Sequence, residues 1–540
     1  MSKFVFRSSQ TIGAAAAELD EQYLRQCFID NGDLQILSDC EDPRRILLGR
    51  TGSGKSALIA RLAKTADNVI IIRPESLALS YVSNSGVVEF FANAGVKMDI
   101  FYRLLWRHVL VVEILKARFH IDTEDRKRSF IESLWRLIPK NKQHETALEY
   151  LRQWGESFWK ETEYRVQEVT STLESELKGA AGASVPNVAS LSAGAARRLT
   201  EEERQEVVNR GQEVVDRVQI RELSSVIDLL REVLLSDPQR RFYVAIDKLD
   251  EDWAEDPIRF RLIRALIETS LDFARIANLK VVVALRNDLL DRVFRYTRDA
   301  GFQEEKYRTS ALQLTWTRDQ LIQLIDSRIQ VLVREKYTKR QPSHEDLLPS
   351  RIGKQTAIDY MLERTHFRPR DLIQFFNACI HHASGKVSIS ERVLIEAEGT
   401  YSRERLRALA DDWYGLYPNL LHLSRLLQGR KDIFLLQDIP QEELETNCLQ
   451  LLVPGLGVEG IDFQYMKNLY EGAMDPDEYR DNVVLILYKT GLVGLKPRQE
   501  MQVSWADSAT QSVSRAELGA DTRIYPHKAY WRTLGIPGVK

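Results

Sequence analysis

The stretch that most restricts this chain is RRILLGRTGSGKSALIARL, residues 44–62. Ile46, Leu47 and Leu48 make a short apolar strand, and Ala57, Leu58, Ile59 and Leu62 recur at the spacing of one helix face. Between them Gly49, Gly54, Lys55 and Ser56 satisfy G-x-x-x-x-G-K-[ST]. A strand that turns through glycines into a helix belongs to a parallel sheet with helices on its faces, so the expected class is α/β. The chemistry accounts for the spacing. Glycines let the backbone wrap a phosphate with its N–H groups, and the helix N-terminus adds partial positive charge. Gly49, Arg50, Thr51, Gly52, Ser53, Gly54, Lys55, Ser56 and Ala57 are therefore the candidate cradle. Within it Lys55 is placed to reach the β- and γ-phosphates and the Ser56 hydroxyl to ligate Mg²⁺, so ATP and Mg²⁺ are the expected ligands.

A second anchor is RFYVAIDKLDEDW, residues 241–253. Phe242 to Ile246 reads as a buried strand ending in Asp247, the place for a carboxylate that holds Mg²⁺. A catalytic glutamate often follows at once, but here that place is Lys248. The carboxylate that orients the attacking water is therefore sought at Asp250 or Glu251, and the two are equally placed. The plainer alternative is a solvated acidic loop with only Asp247 functional.

A third strand, Leu279 to Leu285, ends at Arg286, Asn287 and Asp288. Arg286 is a candidate γ-phosphate sensor there, or else a structural partner of Asp247 or Asp288. Arg292, Arg295, Arg298 and Arg308 follow, as an arginine finger for a neighbouring subunit or as a solvated face. In RTHFRPRDLIQFFNACIHHA, residues 364–383, a helix starts at Pro369. The helix dipole gives a cation no reason to sit at that end, so Arg370 is a further candidate phosphate contact.

At 540 residues the chain exceeds one ordinary core. The expected division is an arm over 1–40, a sheet core over 41–95 and 236–315 split by a helical insertion over 96–235, a helical lid over 316–408, and a winged-helix-like domain over 409–540. The arm packs against its own chain, wraps the nucleotide base or reaches a neighbouring subunit. Residues 179–198 are rich in Gly, Ala and Ser and read as a linker, after which Thr200 and Glu203 match a capping box. Trp135, Trp154 and Trp159 read as core residues of the insertion. Near the C-terminus, Gly491 to Gly494 followed by Val503 and Trp505 reads as a β-hairpin. The net charge of −3 carries no global signature of nucleic-acid binding. Cys27, Cys40, Cys379 and Cys448 are too scattered for a zinc or disulfide framework. Apolar runs such as Val281 to Leu285 fall far short of a membrane span, so no membrane association and a cytoplasmic location are expected.

On GRTGSGKSAL (49–58), IDKLDEDW (246–253), LRND (285–288) and FRPRDLIQFFNACIHHA (367–383), the chain resembles bacterial P-loop ATPases of the STAND and KAP type, related to AAA+ proteins. The resemblance covers residues 10–410, and Lys248 is its clearest departure. It implies ATP hydrolysis, a sensor-2 role for Arg370, and a winged helix after the lid. It also implies assembly into dimers or rings and a protein effector, in anti-phage defence or DNA repair. Two other functions compete with a regulatory ATPase: a DNA-acting motor or loader, and a nucleotide-binding scaffold that hydrolyses little.

Overall fold

The computed structural model describes residues 4–77, 90, 93–119, 200–202, 204–205, 207–209, 226–251, 253, 256–299, 304–334, 341–453, 455–506 and 513–537. The expected linker, the three insertion tryptophans and Glu203 lie outside the described residues. The chain divides into two compact units. One is Asp30–Arg50 with Gly54–Leu314, and the other is Met1–Ile29 with Thr51–Ser53 and Thr315–Lys540.

In the first unit, helix α1 (Asp33–Ser38) precedes strand β1 (Ile46–Leu48), helix α2 (Lys55–Thr65) and strand β2 (Val69–Ile72). Helix α3 (Asp99–Phe119), β3 (Phe242–Ile246), α4 (Asp256–Asp272), β4 (Leu279–Leu285), α5 (Asn287–Thr297) and β5 (Ala311–Gln313) follow. The five strands are parallel and run in the order β2-β3-β4-β1-β5, so β4 lies between the strands that end at Gly49 and Asp247. Every residue of β3 and β4 is buried, as expected for strands covered on both faces. Helix α3, at the start of the stretch expected as a helical insertion, shares this core. Trp106 is fully buried and donates from its indole N–H to Leu262 O at 2.8 Å, while Arg103 and Arg107 both pair with Asp272.

In the second unit, helices α6 (Arg318–Arg334), α7 (Ala357–Leu362), α8 (Pro369–His382) and α9 (Glu391–Trp413) enclose one apolar core. The N-terminal arm is built into that core through Phe6 and Ile12. The Asn377 amide brackets the arm, accepting from Ile12 N–H and donating to Gly13 O, both at 2.9 Å. The buried pair Arg328–Asp20, 2.5 Å apart, closes over Gly13, where a Cβ would lie 2.2 Å from Arg328 Nη1. The arm thus packs against its own chain.

A second core of the same unit holds β6 (Phe434–Leu435), α10 (Gln441–Leu452), α11 (Ile461–Tyr470), α12 (Pro476–Thr490), β7 (Val493–Lys496) and β8 (Arg523–Pro526). Its sheet is antiparallel in the order β6-β8-β7. The expected hairpin is present as the antiparallel bridge Leu495–Ser504, and Trp505 lies over Gly494, where a Cβ would be 2.8 Å from its ring. The ladder partner of β7 is β8, from the chain's last residues.

Candidate functional site

In the first unit, β1 delivers the chain to Gly49, whose N–H donates to Leu285 O at the end of β4. The chain re-enters as helix at Lys55 after Gly54, which has φ +105, a left-handed conformation that glycine adopts at little cost. The Lys55 ammonium curls back and donates to Gly49 O at 2.9 Å and Arg50 O at 3.1 Å. Ser56 and Ala57, partly buried, complete the first turn of α2. Burial pushes the Lys55 ammonium down to about 8. The carboxylates of Asp250, then Asp247, pull it back up, with Arg286 opposing them and Asp288 adding to them. Five candidate or neighbouring charges thus converge on one helix N-terminus.

Asp247 ends β3 and accepts from the N–H of Lys248 at 2.9 Å. Lys248 has φ +64, and its ammonium lies 3.0 Å from Glu251 Oε1. Burial pushes the Glu251 carboxyl up, as does the neighbouring Glu75, while Lys248 opposes both. The two carboxylates that the sequence leaves equal therefore differ in surroundings: Asp250 acts on Lys55, and Glu251 is turned to Lys248 and Glu75. Arg286 forms a forked pair with Asp288, Nε–Oδ1 at 2.9 Å and Nη2–Oδ2 at 3.1 Å, and stands 3.9 Å from Asp250. The Asp288 pair is thus one that Arg286 makes.

The tip of the glycine turn, Thr51–Ser53, belongs to the second unit. Gly52 has φ +81, and a Cβ there would lie 2.6 Å from Arg370 Cβ. The Arg370 N–H meets Gly52 O at 3.4 Å, and its Nε donates to Ala15 O at 3.1 Å. Burial pushes the Arg370 guanidinium down. Ser53, buried, accepts at its carbonyl from the Trp316 indole N–H at 2.8 Å.

Arg368, two residues before Arg370, is a neighbour of the turn's tip that the sequence does not single out. Its Nη1 donates to Thr51 O at 2.9 Å, and the same guanidinium grips Asp371 with Nε–Oδ2 at 2.9 Å and Nη2–Oδ1 at 3.2 Å. Asp371 is fully buried, and Arg405 approaches it at 3.5 Å. Burial works to raise the Asp371 carboxyl, but Arg368 and Arg405 outweigh it and hold it below the usual carboxylate range. The available signal was the i,i+3 spacing of Arg368 and Asp371 across the helix start.

Residues 319–410, which span α6 to α9 and include Arg368, Arg370 and Asp371, match the FunZ-associated C-terminal helical domain. The chain is also similar to the transposon gamma-delta 80.3 kDa protein of Escherichia coli (strain K12), with 22% identity over 542 residues. That similarity covers 98% of this chain and 67% of the relative. No solved structure matches the chain.

Among the described residues no helix is long and apolar enough to cross a membrane.

Proposed function

We propose that this chain is a P-loop ATPase that binds Mg²⁺-ATP on the Gly49–Ser56 turn and hydrolyses it. Its nucleotide state controls self-assembly and a protein effector, in anti-phage defence or DNA repair. The observation that carries this reading is the Lys55 ammonium at a helix N-terminus, acted on by Asp250, Asp247 and Arg286. The turn fits the ligand: its glycines at 52 and 54 take left-handed conformations. A hydroxyl and a carboxylate, Ser56 and Asp247, are hard oxygen donors that suit Mg²⁺. Bound Mg²⁺ supplies charge neutralisation at the phosphates. Lys55 binds phosphate oxygens, exchanging its two carbonyl partners for them. Asp250 orients the attacking water, and Arg286 moves between Asp288 and the γ-phosphate. Because these contacts depend on the γ-phosphate, ATP and ADP favour different conformations, which is what lets a nucleotide act as a switch.

The control of a protein rather than DNA is supported by the C-terminal helices. Between Gln441 and Glu478 nine Asp and Glu residues stand against a single base, Lys467. Leu449, Val453, Leu456 and Tyr470 are at least half exposed in the same stretch. Phosphate backbones repel acidic residues on a surface, while exposed apolar residues suit a protein partner. The winged-helix reading keeps its support from the order of helices and sheet. A DNA-acting motor remains the second reading, because the similar protein is named for a transposon.

The test is equilibrium binding of a fluorescent ATP analogue with Mg²⁺, together with steady-state phosphate release with and without double-stranded DNA, beside a Lys55→Ala control. Saturable binding and turnover that Lys55→Ala abolishes are expected. Full turnover in that variant overturns the reading, and strong stimulation by DNA favours the motor.

A further inference from the structure

We propose that Lys248, which stands where a catalytic glutamate often follows the metal-holding aspartate, is a positioning residue whose ion pair with Glu251 fixes Asp250 for water activation. This rests on the ATP-hydrolysis reading above. Lys248 is one of two described non-glycine residues with positive φ, at +64, a conformation that crowds any Cβ. It is held by three contacts within four residues. Its N–H donates to Asp247 Oδ1 at 2.9 Å, its carbonyl accepts from Glu251 N–H at 3.3 Å, and its ammonium meets Glu251 Oε1 at 3.0 Å.

The rest of the turn is anchored on both sides of Asp250. Leu249 is fully buried, Trp253 nearly so, and the Trp253 indole N–H donates to Leu249 O at 3.1 Å. The Glu251 carbonyl accepts from Arg259 Nη1 at 3.0 Å. Asp250 therefore has little freedom of its own, and its direction follows from the shape of the Lys248–Glu251 turn. Without the ammonium, Glu251 lies beside Glu75 with nothing on Lys248 to balance that repulsion, and the left-handed residue loses a reason to stay left-handed. Rotation at residue 248 swings Asp250 away from Lys55, and small misplacements of a catalytic group cost large factors in rate.

The experiment measures kcat, KM and Mg²⁺-ATP affinity in the full chain for Lys248→Gly, Lys248→Arg, Lys248→Glu, and Lys248→Glu combined with Glu251→Lys. Lys248→Gly keeps the left-handed backbone at little cost and removes the side chain that makes the ion pair. A fall of about tenfold in kcat with KM unchanged is expected from it. Lys248→Arg should stay near the parent chain, and the charge swap should recover most of what Lys248→Glu loses. Parent-like kcat in Lys248→Gly overturns the proposal, as does a joint shift of kcat and KM with lowered thermal stability, the mark of a merely structural residue. If the unaltered chain binds no Mg²⁺-ATP, the ATP reading falls and this role falls with it. Binding without turnover overturns the positioning role and leaves nucleotide binding standing.

Discussion

The ammonium of Lys280, inside a fully buried strand, donates to the carbonyl of Ile36 at 2.7 Å. It also donates to Asp39 O at 2.7 Å and Asp42 O at 3.1 Å. It thus serves as an internal cap for the end of α1 and the chain that leads into β1, satisfying carbonyls that a helix terminus leaves without partners. Lys280→Met keeps the stem but strands three acceptors, and should destabilise the chain by about 2–4 kcal/mol in urea unfolding. The sign of its pH dependence follows from burial, aided by Arg45, which pushes Lys280 down from 10.5 to about 8. Between those values the unfolded chain binds more protons, so stability climbs as pH rises through the window and is lost as pH falls toward 8. Lys55 contributes in the same window. The variant should therefore lose part of the slope, not all of it.

Nucleotide affinity should carry the signature of Lys55. Its ammonium is pushed down to about 8 by burial, and anionic phosphates would favour the charged form. Binding above about pH 8 must then take up a proton, and affinity should fall by up to about tenfold per pH unit there. Below that pH it should be flat with respect to this group. Calorimetric titration of Mg²⁺-ATP at pH 9 in two buffers of different ionisation enthalpy reads the uptake directly. Identical apparent enthalpies would remove Lys55 as the titrating group.

Arg368 and Arg370 should separate cleanly on mutation, although both flank the same proline. Arg368→Ala removes one partner of the buried Asp371 carboxylate and the donor to Thr51 O, so a loss of about 3 kcal/mol is expected in thermal or urea unfolding. Arg370→Ala removes a donor to Ala15 O and the cover over Gly52, and should cost no more than about 1–2 kcal/mol. Because Asp371 is held below its usual range, the Arg368-dependent stability is present at neutral pH and is lost as pH falls below about 4. An acid-unfolding curve unchanged by Arg368→Ala would show that Arg405 alone suffices.

These residues also mark what could be read in advance. Leu279–Leu285 forms its strand with the boundaries that its apolar run dictates, because a strand buried on both faces needs little but apolar side chains. The same run hides Lys280, whose role depends on carbonyls some 240 positions earlier in the chain. Arg523–Pro526 escapes notice because a four-residue strand holding an arginine and a proline carries almost no pattern. The strand and helix on either side of the glycine turn, and the strand that ends before Asp247, were legible through their apolar runs. Which of Asp250 and Glu251 acts on Lys55 was not, since that depends on the backbone angle at residue 248, which no side-chain pattern records.

The difference between those two carboxylates gives the sharpest expectation for hydrolysis. Asp250 is the first of the charges that raise Lys55, and it stands 3.9 Å from Arg286. Glu251 spends its side chain on Lys248 and Glu75. Asp250→Asn keeps the shape and removes the acceptor of a proton, so kcat should fall by about 10²–10⁴ while Mg²⁺-ATP still binds. Glu251→Gln weakens the pair with Lys248 without removing its hydrogen bond, and a fall of no more than about tenfold is expected. Single-turnover phosphate release with both variants decides the matter. The opposite ranking would assign water activation to Glu251 and make Asp250 the partner of Arg286.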